Sequence, residues 1–131
     1  MVTNLFRLVR NERGSQAIEF VAILPLFTIV ILIVWQFALA ATAKVTAEAA
    51  AMDGARVAMV GGQQADVQHA VRNVASGYRV DLVSVNDDGT YVTVTVTLQV
   101  PLVNSTRVFD TTGLSLPVSA DVTVRKEEET P

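Results

Sequence analysis

The chain has no cysteine and a single histidine, His69, among its 131 residues. Without thiols there is no disulfide framework, no cysteine-based metal site and no thiol nucleophile. One histidine excludes a two-histidine relay and a histidine-rich metal centre. Aromatic residues make up only 6% of the chain although half of it is hydrophobic. The apolar content is mostly Ala, Val, Leu and Ile, which suits an apolar helix and a Val-rich sheet better than a large aromatic core. Basic charge is sparse beyond the first fourteen residues. There Arg7, Arg10 and Arg13 stand against Glu12, a net of +2, while the remainder carries a net of −5. An acidic body is a poor match for a phosphate backbone, so no nucleic-acid partner is expected.

Charge is missing altogether from residues 20–43. A bilayer-spanning helix needs about 20 predominantly apolar residues, so this run is long enough. The arginines precede it, and Lys44 and the acidic body follow. The positive-inside rule then places the N-terminus in the cytoplasm and the C-terminal part outside the membrane, with a single pass. A secretory signal peptide is the rival reading, but its apolar region is usually only about 7–15 residues. Ala38, Ala40, Ala41 and Ala43 imitate a cleavage site loosely. Pro25 interrupts the run; it removes a backbone donor and is expected to kink or loosen the helix.

Helix-forming sequence continues past Lys44. Ala43, Ala47, Ala50, Gly54 and Ala58 recur at helical spacing and put five small residues on one face. Small residues let helix backbones approach closely, although an Ala-rich helix chosen for propensity alone reads the same way. Gly61-Gly62 ends the pattern. A second, amphipathic helix is expected over residues 64–76, with Val67, Ala70, Val71, Val74 and Ala75 on its apolar stripe and Gly77 as its stop. Residues 79–85, 91–100 and 116–125 read as strands. The second is the clearest, with Val92, Val94, Val96, Leu98 and Val100 alternating with polar residues. Asn86-Asp87-Asp88-Gly89 is a turn signal, residues 104–113 a polar loop, and Pro117 places the last strand at a sheet edge. The charged tail after Arg125 is expected to fray.

The fold class is therefore α+β: a long N-terminal transmembrane helix, a short second helix and a small antiparallel sheet of about three strands. The division expected is a basic leader at 1–14, a helix at 15–60 with its membrane part at 20–43, and a small extracytoplasmic domain at 63–131. The second helix and the outer half of the first would cover the apolar face of the sheet.

The junction Arg13-Gly14-Ser15-Gln16-Ala17-Ile18-Glu19-Phe20 carries the functional signal. A carboxylate at the start of a membrane span is costly, so Glu19 needs compensation. A cut after Gly14 makes Ser15 a new N-terminus with a positive amine, and Glu19 the fifth mature residue. Its carboxylate would then neutralise the amine of a neighbouring subunit in a low-dielectric setting. A carboxylate favoured by the helix macrodipole is the plainer alternative.

This arrangement resembles prepilins cut by a prepilin peptidase. Within that class, RGSQAIEFVAILPLF is most similar to TadE-like proteins of the tight-adherence (Flp-type) pilus system. That family carries Glu followed by an aromatic residue, here Glu19-Phe20. It commonly has Leu-Pro in the apolar run, here Leu24-Pro25, and Gly-Ala-Arg beyond, here Gly54-Ala55-Arg56. Pseudopilins of type II secretion usually begin with Phe, whereas this mature chain would begin with Ser15. The resemblance is dense from Arg13 to about Ala58. It implies a minor pilin or pilus-assembly component, larger than the major pilin of that system. Prepilin peptidase and other pilin subunits are the implied partners, and cell adhesion the implied role.

Other signals carry little. His69 lies on the wet face of the second helix. Asp87-Asp88-Gly89 is too short for a calcium loop, and Gly61-Gly62 lacks the Lys-Ser/Thr of a phosphate loop. Asn104-Ser105-Thr106 fits a glycosylation acceptor. Arg56 is expected to pair with Asp53 or with a partner chain, a simple surface pair being the plainer case; Trp35 packs against a helix or faces lipid. No cofactor, metal, small-molecule substrate or enzymatic activity is expected. The alternative function is a single-pass anchor displaying an extracytoplasmic binding or regulatory domain outside any pilus.

Overall fold

The computed structural model describes residues 12–101 and 115–126. The readings for leader residues 1–11, for the loop at 104–113 with Asn104, and for the tail beyond Lys126 lie outside the described residues. Five elements follow in order: α1 (Glu12–Met59), α2 (Gln64–Val74), β1 (Arg79–Asp87), β2 (Tyr91–Pro101) and β3 (Ser115–Arg125). The chain is α+β and divides into two compact units, Met1–Trp35 and Gln36–Pro131.

The described part of the first unit is helix alone. Every side chain from Gly14 to Trp35 is exposed. α1 runs through 48 residues and enters the second unit at Gln36. It continues through Pro25 without interruption. Pro25 has no N–H to offer the carbonyl of Val21, and one turn on, the Thr28 hydroxyl donates to the Leu24 carbonyl at 2.9 Å.

The second unit is built around the apolar face of a three-stranded antiparallel sheet of order β1-β2-β3. Val92, Val94, Val96, Leu98 and Val100 of the central strand are buried, while Tyr91 is exposed and Thr93, Thr95, Thr97 and Gln99 are partly covered on the opposite face. Each large apolar side chain fully buried here contributes about 1.5–3 kcal/mol. α2 covers part of the buried face with Val67, Ala70, Val71 and Ala75, and the outer half of α1 supplies Ala43, Ala47, Ala50, Ala51, Ala55 and Ala58. Val74, expected on the same stripe, is instead 38% exposed. It closes the last turn, and Ala75, already outside helical geometry, takes the core position. α2 starts where the Gln63 N–H donates to the Asp66 carboxylate at 3.0 Å, satisfying a donor that a helix start would leave orphaned.

Register fixes which backbone groups face outward, because in an antiparallel strand the N–H and C=O of one residue point to the same side. The Lys126 N–H donates to the Thr90 carbonyl. The even-numbered groups of β3 therefore meet β2, and the odd-numbered ones form the outer edge. There Pro117 has no N–H, and the Lys44 ammonium donates to the Ser119 carbonyl at 2.7 Å. On the opposite edge the Gln64 amide donates to the Val83 carbonyl at 3.4 Å, beyond a bulge between Val80 and Leu82. The β1–β2 hairpin closes with the Asp88 N–H on the Tyr91 carbonyl. Gly89 at φ +84° takes the left-handed position that favours glycine.

Candidate functional site

Gly14, Ser15, Glu19 and Phe20 all lie in the opening turns of α1, and all are exposed. Ser15 and Glu19 are four residues apart, so they share one helix face. Among the described residues, a Cβ built on Gly14 would meet nothing within 4 Å beyond its own stretch of helix. The ion pairs among the described residues are Lys44–Glu48, at 3.6 Å, and Asp87–Lys126. Neither takes in Glu19. Neither takes in Arg56, so the surface pair expected between Asp53 and Arg56 is not formed; Arg56 is exposed at the end of α1.

Beyond the junction, α1 is long and apolar enough to cross a membrane. Its most apolar window has a mean hydropathy of 2.8 and is wholly unburied. Trp35 is among the exposed apolar side chains. The packed second unit begins at Gln36, within the uncharged run, and Ala43 at the end of that run is fully buried in it.

The small-residue face of α1 is used inside the chain. Ala43, Ala47, Ala50 and Ala58 are buried. A Cβ on Gly54 would stand 2.9 Å from Val71 Cγ2, 3.2 Å from Val67 Cγ1 and 3.3 Å from Val94 Cγ1. Gly54 is thus a point of close approach of α1 to both α2 and the central strand. The small residues set that approach, as their size allows.

Three polar links that the sequence did not reveal tie the second unit together. Lys44 reaches Ser119, the Tyr78 hydroxyl donates to Thr42 Oγ1 at 3.3 Å, and Lys126 reaches Asp87. Each joins residues at least 36 positions apart, beyond the reach of any local pattern. The one sequence signal among them is Lys44, the first charge after the apolar run. The Lys126 ammonium holds the Asp87 carboxyl below its ordinary value, and the Gly89 N–H, 2.8 Å from Asp87 Oδ1, adds to this.

His69 is exposed on α2, 3.2 Å from Asn73 Nδ2 through its Nδ1. No three His, Asp or Glu side chains among the described residues come together as a metal cage. The described part of the first unit is an unburied apolar helix with an acidic residue near its start, and the second unit is a small packed domain.

Comparison with known proteins agrees with the sequence resemblance. The family model described as TadE-like protein matches residues 14–56. No curated protein and no solved structure matches the chain.

Proposed function

Taking a TadE-like N-terminal segment as the premise, we propose that this chain is a minor pilin or assembly component of a tight-adherence pilus. The TadE-like match itself supports a component associated with that pilus, and the apolar helix supports membrane anchoring. The finer reading has four parts. The leader is removed by prepilin peptidase after Gly14. The residues before the span stay cytoplasmic, while the domain lies outside. The new amine at Ser15 pairs with Glu19 of a neighbouring subunit. The assembled protein then serves adhesion, within the fibre or in building it.

The observation that carries this reading is the coincidence of limits. The family match starts at Gly14, the residue before the proposed cut, and runs past Glu19 to Arg56. Over its first part the helix is entirely unburied, leaving Gly14 accessible to an enzyme and Glu19 to a partner.

The test is the intact mass of protein extracted from membranes of cells that express the peptidase. A species beginning at Ser15, lost in Gly14→Phe, supports the proposal. Full-length protein in both cases transfers the weight to a plain membrane-anchored domain. A chain cut near residues 40–43 would mean a secreted protein and end the anchoring argument.

A further inference from the structure

Asp-Gly occurs twice in the sequence, at Asp53-Gly54 and at Asp88-Gly89. In such a pair the glycine nitrogen can close on the side-chain carboxyl of the aspartate before it, because no Cβ obstructs the approach. The reaction needs a main chain free to turn and a nitrogen not held by another acceptor. The fold treats the two pairs differently. Asp53-Gly54 lies inside α1, where each N–H donates to the carbonyl four residues back. Gly54 is also buried, with Val71, Val67 and Val94 against it. Helix and packing together leave the chain no room to turn there.

Asp88-Gly89 lies between β1 and β2, and both residues are exposed. A Cβ on Gly89 would meet nothing within 4 Å. The Gly89 N–H nonetheless has a partner. It donates to Asp87 Oδ1 at 2.8 Å, in the turn an aspartate makes with the residue two further on. The other oxygen of that carboxylate, Oδ2, is held by the Lys126 ammonium. Asp87 is thus fixed from two sides. A charged acceptor binds an N–H more strongly than a neutral one, and this bond must break before the nitrogen can attack elsewhere.

We infer that Asp88-Gly89 is a site of self-modification through a cyclic imide, and that Asp87 restrains it. Asp88 reacts as the neutral acid. The Gly89 nitrogen bonds to Cγ of Asp88, and its proton leaves with the carboxyl hydroxyl as water. Water then adds back at one of the two imide carbonyls. Opening at the side-chain carbonyl restores aspartate. Opening at the main-chain carbonyl leaves isoaspartate, with the backbone running through the side chain. Nothing is oxidised or reduced, and no partner is needed. The lengthened main chain changes the turn in which the Asp88 N–H meets the Tyr91 carbonyl at 3.0 Å.

The test incubates detergent-solubilised full-length protein in water enriched in heavy oxygen, then digests it in ordinary water and maps the peptides by mass spectrometry. Passage through the imide leaves a heavy oxygen at that aspartate, whichever product forms. The expected result is label at Asp88 and none at Asp53 in the folded wild type, and label at both in urea. Asp87→Ala should label Asp88 several-fold faster, and Lys126→Met, which frees only one side of Asp87, should fall between. Label at Asp53 also reports unfolding of a variant; if Asp87→Ala shows it, Lys126→Met decides. Equal label at the two aspartates of the folded wild type, or none at Asp88 in any folded chain, would overturn the site. Label at Asp88 that is no faster in the variants would overturn the restraint by Asp87.

Discussion

Gly54 shows how far a single missing side chain shapes this protein. Alanine in its place would gain about 0.8–1 kcal/mol of helix propensity. Its methyl would also crowd Val71, Val67 and Val94 at 2.9–3.3 Å, and overpacking of a tight core typically costs about 1–3 kcal/mol. The core contacts come from two separate elements, so one rotamer change cannot relieve them all. Crowding outweighs propensity, and Gly54→Ala is expected to lower the melting temperature of the detergent-solubilised protein. Gly77→Ala is the control: a Cβ there meets nothing within 4 Å, and its melting temperature should be unchanged or higher. The sequence marked Gly54 as one of five small residues on a face. It could not say whether the face served a neighbouring subunit or the chain's own core, because spacing specifies a direction around the helix and not its occupant.

At the level of elements, the β1–β2 hairpin is latched by Asp87, which accepts the Gly89 N–H and pairs with Lys126 just past β3. Both contacts favour the ionised carboxylate, so its folded pKa lies below the ordinary 3.8. A carboxylate depressed in the folded state adds stability that is fully present above pH 3.8 and is lost as pH falls through the folded value. Unfolding measured from pH 6 downward should show wild type losing stability below about pH 4 relative to Asp87→Asn, with the two curves differing by a constant amount above it. The strands themselves were plainly legible, because alternation in Val92–Val100 is strict and Asn86–Gly89 is a turn sequence. β1 proved longer than the pattern indicated, running to Asp87. Its bulge at Val80/Leu82 breaks the period of two, so its apolar residues do not alternate cleanly. The end of α2 was misjudged at Val74 for a related reason: periodicity assumes that helical geometry persists, and here it stops.

For the whole molecule, the proposed assembly rests on Glu19. If its carboxylate neutralises the amine of a neighbouring subunit, Glu19→Ala should leave membrane insertion intact, as read by resistance to carbonate extraction, yet abolish piliation counted by electron microscopy. Normal pili from the variant would contradict the pairing. The signals at the N-terminal junction, charge, apolar length and the Gly14–Glu19 spacing, are all local properties of the chain and can be read without a fold. The three long-range links, Lys44–Ser119, Tyr78–Thr42 and Asp87–Lys126, cannot, since each depends on the fold bringing distant segments together. One of those links has a further consequence when many copies share a bilayer. Confinement to two dimensions concentrates them and gives them a common orientation, conditions that favour strand-by-strand joining of open sheets into cross-β aggregates. Lys44 on the Ser119 carbonyl, Pro117 beside it and Gln64 on the Val83 carbonyl occupy both sheet borders. If copies of the chain do crowd a bilayer as proposed, these occupied borders disfavour amyloid-type growth by edge-to-edge pairing of their sheets.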